Sequence, residues 1–243
     1  MQCFRADLHI HSCLSPCADI TMTPSEIAGK LAENQIDWAA ITDHNSARNV
    51  TVFKEVFEEE GIAFIPGIEV QTYEDVHVLG YFPDCETAAE FGQKIEDKLP
   101  DYEINPERDG YQLVVDRAGN FTDMVLRPLS MPADISLDET LELIDTHNGI
   151  GIYAHIDKAM GVIYQLGIIP PEPVNTPCEI YMPKKLEQYK PQLKERAVLS
   201  SSDAHNLDSF GNSKMAICCH SRTFVEFKGA INHQDGRDVR ICR

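Results

Sequence analysis

The run Phe4-Arg5-Ala6-Asp7-Leu8-His9-Ile10-His11, followed a dozen residues later by Thr23-Pro24-Ser25-Glu26, sets the frame in which the chain is read. Phe4 to Ile10 reads as a strand. Thr23 can cap a helix, Pro24 suits its first position and Glu26 completes a capping box, so a helix is expected to about Asn34. A strand leading into a capped helix is a βα unit, and the unit recurs. Ile36 to Thr42 is a second strand, followed by a helix to about Glu60. Ile62 to Val70 and Val76 to Phe82 form two further strands around a short turn at Tyr73 to Asp75, and Glu86 to Lys98 is helical. This alternation argues for an α/β fold with a mainly parallel sheet.

The segment 100–132 breaks the rhythm. It is rich in Asp, Glu, Asn and Pro, and holds two strand-like runs, Tyr111 to Asp116 and Phe121 to Leu126, around Arg117-Ala118-Gly119-Asn120. It reads as an inserted β-hairpin or lid within a single domain spanning 1–243. Beyond it, Ser136-Leu137-Asp138-Glu139 caps a helix to about His147, Gly149 ends that helix, and Ile150 to Ala154 is a strand. Cys178 to Tyr181, Val198 to Ser201, Met215 to Cys219 and Val239 to Cys242 are the remaining strands, with a helix from about Thr223.

The 243 residues, 43% of them hydrophobic, suffice for one large core. Thirty-nine acidic residues against 21 Lys and Arg leave a net charge of -18, which would repel free duplex nucleic acid; extended nucleic acid is therefore not an expected partner. No stretch approaches the roughly 18 apolar residues of a membrane span, and the first residues do not form a signal-peptide core, so a cytoplasmic location and no membrane partner are expected. Eight cysteines (Cys3, Cys13, Cys17, Cys85, Cys178, Cys218, Cys219 and Cys242) are too sparse for a disulfide scaffold, and most are read as reduced thiols.

In Asp7-Leu8-His9-Ile10-His11, strand alternation would put Asp7, His9 and His11 on one face and Leu8 and Ile10 on the other. One His-x-His pair is a weak signal. Repetition strengthens it: His44 in Thr42-Asp43-His44, Glu69 in Gly67-Ile68-Glu69, His77, His155 and Asp203-Ala204-His205 all fall in or just after apolar strand-like runs. Six of the nine histidines lie in these segments, leaving His147, His220 and His233 outside. Burying so many imidazoles and carboxylates without a cation would leave polar groups unpaired, at roughly 1–3 kcal/mol each. Divalent ions satisfy them directly.

These motifs, Asp-Leu-His-x-His-Ser, Thr-Asp-His, Gly-x-Glu, a later strand His and Ser-Asp-Ala-His, resemble those of the PHP (polymerase and histidinol phosphatase) domain family, in order and over essentially the whole chain. The resemblance implies a distorted (βα)7 TIM-like barrel with two or three divalent metal ions (Zn, Fe or Mn) at the strand C-termini. It implies a first metal on His9, His11, bridging Glu69 and Asp203, a second on Glu69, His77 and His155, and a third on His44 and His205. Where the family commonly has a His or Asp to complete the third site, this chain offers Cys17, with Asp19 just beyond. A Cys17 thiolate would suit zinc or iron better than manganese; a small thiol packing the loop is the plainer reading.

The chemistry such a cluster supports is hydrolysis, in which two cations sharing Glu69 lower the pKa of a water and neutralise charge as phosphorus is attacked in line. Glu69 and Asp203, with Asp7 and Asp43, are the candidate catalytic carboxylates, the last two as groups that orient imidazoles or move a proton. Lys158, Arg127 and Arg48 are candidate phosphate-binding residues, Lys158 foremost. The leading expectation is a metal-dependent phosphoesterase acting on a phosphomonoester or a small nucleotide phosphate. A 3′-5′ exonuclease or proofreading nuclease, an amidohydrolase-like enzyme and a non-catalytic metal-binding regulatory module are the rivals.

Overall fold

The computed structural model describes residues 1–211 and 215–241; Cys242, the expected end of the last strand, lies outside them. Strand β1 (Gln2–Asp7) leads through a long loop to α1 (Pro24–Glu33). Pro24 stands in the first turn as expected, but Thr23 makes no side-chain cap bond. The preset φ of Pro24 and the buried Ile27, Ala28 and Leu31 therefore account for this helix.

Then follow β2 (Trp38–Ile41), α2 (Val50–Glu59), β3 (Ala63–Gln71), β4 (His77–Tyr81) and α3 (Cys85–Glu96). The segment after α3 holds α4 (Pro106–Asp109), β5 (Leu113–Val115) and β6 (Phe121–Met124). Next come α5 (Leu137–Thr146), with the expected Ser136–Glu139 capping box formed, β7 (Ile150–Tyr153) and α6 (Val162–Leu166). The chain continues as β8 (Cys178–Glu179), α7 (Leu186–Leu193), β9 (Val198–Leu199), β10 (Met215–Cys219), α8 (Phe224–Ile231) and β11 (Asp238–Ile241). The sequence does not announce α6, five residues between two glycines, or α7, which carries Pro191 inside it.

One nine-stranded sheet, in the order β11-β10-β1-β2-β3-β4-β7-β8-β9, curls until its edges β9 and β11 approach each other, giving a nearly closed, distorted TIM-like barrel. The ladders β1/β2, β2/β3, β7/β8 and β8/β9 are parallel; β3/β4, β4/β7, β1/β10 and β10/β11 are antiparallel. The expected mainly parallel sheet is corrected accordingly. The Thr72–Val76 turn, closed by the Val76 carbonyl accepting from Thr72 N at 2.9 Å, is too tight for the crossover that a parallel pair needs. One consequence bears on the site. Because β4 and β10 run against all the other strands, His77, the first residue of β4, shares an edge with the ends of β3 and β7.

The barrel interior is filled by Leu8, Trp38, Ile65, Leu79, Ile152 and Ile217, among others. At the end away from His77, Phe227 of α8 packs against Trp38 and Tyr81, with ring centroids 6.2 and 5.5 Å apart, and plugs the barrel. Cys3 and Cys218, opposed residues of β1 and β10, form a disulfide; Cys13, Cys17, Cys85, Cys178 and Cys219 are free.

The hairpin strands β5 and β6 pair in their own two-stranded sheet and are shorter than their apolar runs suggest. Their turn is held by the Asp116 carboxylate, which accepts from the Ala118 and Asn120 N–H groups at 2.9 Å, with Gly119 at φ +80°. Asn49 donates to the Leu113 carbonyl and accepts from Val115 N, while Leu113 N donates to the Cys13 carbonyl. Asn45 donates to the Leu129 and Met131 carbonyls at 2.8 and 2.9 Å. The segment is thereby pinned beside the loop after β1 and next to His44.

Candidate metal centre

Backbone bonds bring the motif segments together before any side chain is considered. Thr42 N donates to the Ile10 carbonyl, His11 N to Ala204, Glu69 N to Asp43 and Asn45 N to Glu69, each at 2.9–3.0 Å. Regular alternation stops where β1 stops, at Asp7. Leu8 enters the barrel core, Ile10 packs under α1 and α2, and His9 and His11 bend over the mouth. Asp7 does not join them. Its Oδ1 accepts the Ser202 N–H at 2.9 Å and its Oδ2 is buried without a partner. Burial holds its pKa up at about 6 against an ordinary 3.8.

Glu69, buried to 1% exposure, is the hub. Its Oε1 lies 3.3 Å from His9 Nε2, 2.9 Å from His77 Nδ1 and 3.1 Å from His155 Nε2. Its Oε2 lies 3.3 Å from His11 Nε2 and 3.1 Å from His44 Nδ1. Asp203 Oδ1 closes the opposite side, 3.3 Å from His9 Nε2 and 3.4 Å from His11 Nε2. Burial would push both carboxyls up, but the surrounding imidazoles hold Glu69 and Asp203 well below the usual carboxylate range. His155 at φ 21° and Asp203 at φ 52° adopt left-handed backbone that non-glycine residues avoid, conformational strain concentrated at the site.

Two histidines are oriented from behind. Glu179 of β8, fully enclosed, accepts from His9 Nδ1 at 2.8 Å and from the His155 N–H at 3.1 Å. His11 Nδ1 donates to Ser15 Oγ at 2.9 Å, and Ser15 in turn donates to Asp43 Oδ1 at 2.7 Å. Both rings thus carry a proton on Nδ1 and aim Nε2 into the cluster. Burial alone would lower the His9 pKa; Glu179, Asp203 and Glu69 instead raise it well above the ordinary value. His77, where burial outweighs Glu69, falls to about 4.

Asp43, expected among the catalytic carboxylates, also accepts from Ser12 N at 2.7 Å and Ser12 Oγ at 2.6 Å; it organises the loop and reaches His11 only through Ser15. Glu179 and Ser15 escaped the sequence reading. A carboxylate inside the short apolar run Cys178-Glu179-Ile180 was the available signal for the first; nothing in the sequence distinguishes Ser15 from other loop serines.

A further corner is formed by His11, His44 and His205, the His11 and His205 rings stacking at 4.0 Å. The Cys17 thiol, on an exposed residue, hydrogen-bonds His205 and His44, and these imidazoles lower its pKa to about 6. Asp19 is turned to Thr21, accepting from its N–H and hydroxyl at 2.9 Å. Lys158 reaches the cluster, its ammonium paired with Asp203 Oδ2. The two arginines do not. Arg48 is bound to Glu96, Nη2 to Oε2 at 2.6 Å, and Arg127 to Asp101 at 2.9 Å, because each lies among the carboxylates of α3 and the insert. His147 bonds Lys94, His233 pairs with Asp238 and His220 is exposed, all outside the cluster.

The donor set fits divalent cations. The Nε2 atoms of His9 and His11 face each other at 3.2 Å, as do His77 Nδ1 and His155 Nε2. Facing nitrogens at that distance repel unless a proton or cation lies between them. A tetrahedral ion with bonds of about 2.05 Å separates its ligands by about 3.3 Å, and an octahedral one by about 3.0 Å. The 2.9–3.3 Å spacings around Glu69 match ligand–ligand distances of that size.

A fold and a nitrogen- and carboxylate-lined centre of this kind define a class of metal-dependent α/β barrel. Residues 7–160 match the PHP domain model, and the chain belongs to the PHP domain family. Two curated relatives each match over 79 residues, 30% of this chain. The phosphoribosyl 1,2-cyclic phosphate 1,2-diphosphodiesterase of Eggerthella lenta is 32% identical there, over 29% of its length. The 5′-3′ exoribonuclease Rnm of Salmonella typhimurium is 30% identical, over 26% of its length. The matched segment is thus less than a third of either relative. In architecture the chain is similar to the lesion-specific endonuclease Q of Pyrococcus furiosus, with a TM-score of 0.71, 18% identity and coverage of 98% of this chain and 58% of that one. A complex of endonuclease Q with a 27-mer duplex gives a TM-score of 0.65 at 17% identity.

These comparisons overturn the exclusion of nucleic acid drawn from the net charge, since one relative is an exoribonuclease and an endonuclease of similar fold is bound to a DNA duplex. Net charge sums over the whole surface, whereas binding responds to the local field where the ligand sits, so a net charge of -18 does not by itself exclude a polyanion. No helix among the described residues is long and apolar enough to cross a membrane.

Proposed function

We propose that the chain is a metal-dependent phosphoesterase acting on phosphodiesters of nucleotides and nucleic acids. The observation that carries this reading is the Glu69 carboxylate, whose two oxygens face different sets of imidazoles, His9, His77 and His155 on one side and His11 and His44 on the other. In this reading His9, His11, Glu69 and Asp203 hold one cation, Glu69, His77 and His155 a second, and His44, His205 and Cys17 a third. The Cys17 thiol favours zinc or iron at that corner. Bound divalent ions supply an activated water and Lewis-acid neutralisation of phosphoryl charge.

The chain's own residues do the rest. Glu179 and the Asp43–Ser15 pair hold His9 and His11 with Nε2 turned inward. Lys158, whose ammonium pairs with Asp203 Oδ2 at the cluster, would bind a non-bridging phosphate oxygen there. The 100–132 segment walls one side of the mouth within a single barrel domain.

The test is elemental analysis of protein purified without added metal, followed by incubation of the identified ion and protein with a labelled oligonucleotide, a cyclic nucleotide and a nucleoside monophosphate. Two or three equivalents of metal and cleavage of a diester are expected. A protein that retains no metal and cleaves none of the esters would sink the proposal.

A further inference from the structure

Tyr181 lies at the C-terminal end of β8, two residues beyond Glu179, and remains 38% exposed. Its backbone is fixed. The Tyr181 and Met182 N–H groups donate to the two oxygens of Asp157 at 2.7 and 3.0 Å, and Asp157 is buried. Lys185, in the turn that follows, brings its ammonium to the Asp157 carbonyl at 3.4 Å and its Oδ2 at 3.9 Å. The phenol makes no side-chain hydrogen bond among the described residues, so its hydroxyl does not explain its position. What does meet the ring is Lys158, whose Nζ lies 4.8 Å from the centroid while it pairs with Asp203 of the cluster. The ring is therefore one lysine ammonium away from the place where the phosphate would be held. Tyr164 and Tyr73 are more exposed, at 70% and 72%, but no contact ties either to the cluster, and Tyr153 is buried.

We propose that the Tyr181 ring is a stacking platform for a nucleobase attached to the scissile phosphodiester, selecting base-bearing substrates over base-free ones. The inference rests on the phosphoesterase reading and adds the recognition element. A rigid, partly open aromatic face beside a cation suits any base, because every base has a π-face; sequence-independent stacking of this kind combines with charge on the backbone. Lys158 serves the phosphate and Tyr181 the base, on two adjoining segments.

The test compares the full-length wild type with Tyr181→Phe and Tyr181→Leu, the latter keeping apolar bulk without a π-face. Each metal-loaded protein is assayed on a short oligonucleotide and on an abasic oligomer with the same phosphodiester backbone. In parallel, fluorescence anisotropy of a labelled trinucleotide reads binding to metal-free protein. Tyr181→Leu is expected to raise KM for the base-bearing substrate, and to weaken trinucleotide binding, by roughly five- to hundredfold. The same variant should leave the abasic substrate unchanged, and Tyr181→Phe should behave as wild type.

Equal losses on both substrates would show that the ring only props Lys158 and would overturn the proposal. So would no loss on either, or the absence of trinucleotide binding by the wild type. Failure of the wild type to cleave either substrate would instead remove the phosphoesterase reading, and the anisotropy series would still decide the role of Tyr181.

Discussion

Replacing Glu179 separates the contribution of a buried orienting carboxylate from that of the ligands it serves. Its Oε2 accepts two bonds, from His9 Nδ1 at 2.8 Å and from the His155 N–H at 3.1 Å, and its Oε1 has no partner. Glu179→Gln keeps an oxygen that can accept both bonds and removes only the charge that makes His9 a better donor. Metal affinity should fall about tenfold, at the lower end of what loss of such partners produces. Glu179→Ala removes the one oxygen that accepts both bonds and leaves two buried donors unpaired, at about 1–3 kcal/mol each. It should lose about a hundredfold in affinity and melt at a lower temperature without metal. Competition against a chelator of known affinity reads the first quantity, and thermal denaturation of the metal-free protein reads the second. Wild-type affinity in the alanine variant, or equal loss in both variants, would refute the reasoning that Glu179 acts through His9 and His155.

Other outcomes are also expected. Glu69→Gln should abolish phosphoesterase activity and strip bound metal, whereas His220→Ala, exposed and outside the cluster, should change neither; elemental analysis with a turnover assay checks this. The folded protein raises the Asp7 carboxyl from 3.8 to about 6, so the stability it contributes is complete below the lower value and lost as pH climbs through about 6. Metal-free Asp7→Asn should therefore gain up to about 3 kcal/mol over wild type near pH 8 and little near pH 4; denaturant titrations showing a pH-independent difference would contradict it. The Cys3–Cys218 disulfide spans 215 positions, and its removal in a Cys3→Ser, Cys218→Ser protein should cost up to about 5 kcal/mol through the larger entropy of the unfolded chain. A melting temperature insensitive to reductant and to these substitutions would rule that out.

Local chemistry made much of the molecule legible. The Ser136–Glu139 capping box, the Thr72–Val76 turn and the residues of β10 follow from side-chain propensities over a few positions, and the structure keeps them. The histidine and carboxylate members of the centre were likewise visible, because a metal site needs particular donor types and these stand out inside apolar runs. Corrections arise where long-range packing decides. Arg48 and Arg127 look like free cations in the sequence, yet in space each meets an acidic partner far along the chain, Glu96 and Asp101.

The order of amino acids by itself determined which segments become strands and helices and which atoms are able to ligate, since both depend on residue type and near neighbours. Tertiary structure alone decided that β4 runs against its neighbours and so presents His77 from its first residue, and that Asp7 turns to Ser202 while Glu179 stands behind His9. It also set Tyr181 beside Lys158. The physical reason is the same throughout: these contacts join residues distant in sequence, and their geometry is fixed only when the sheet curls and buries its core.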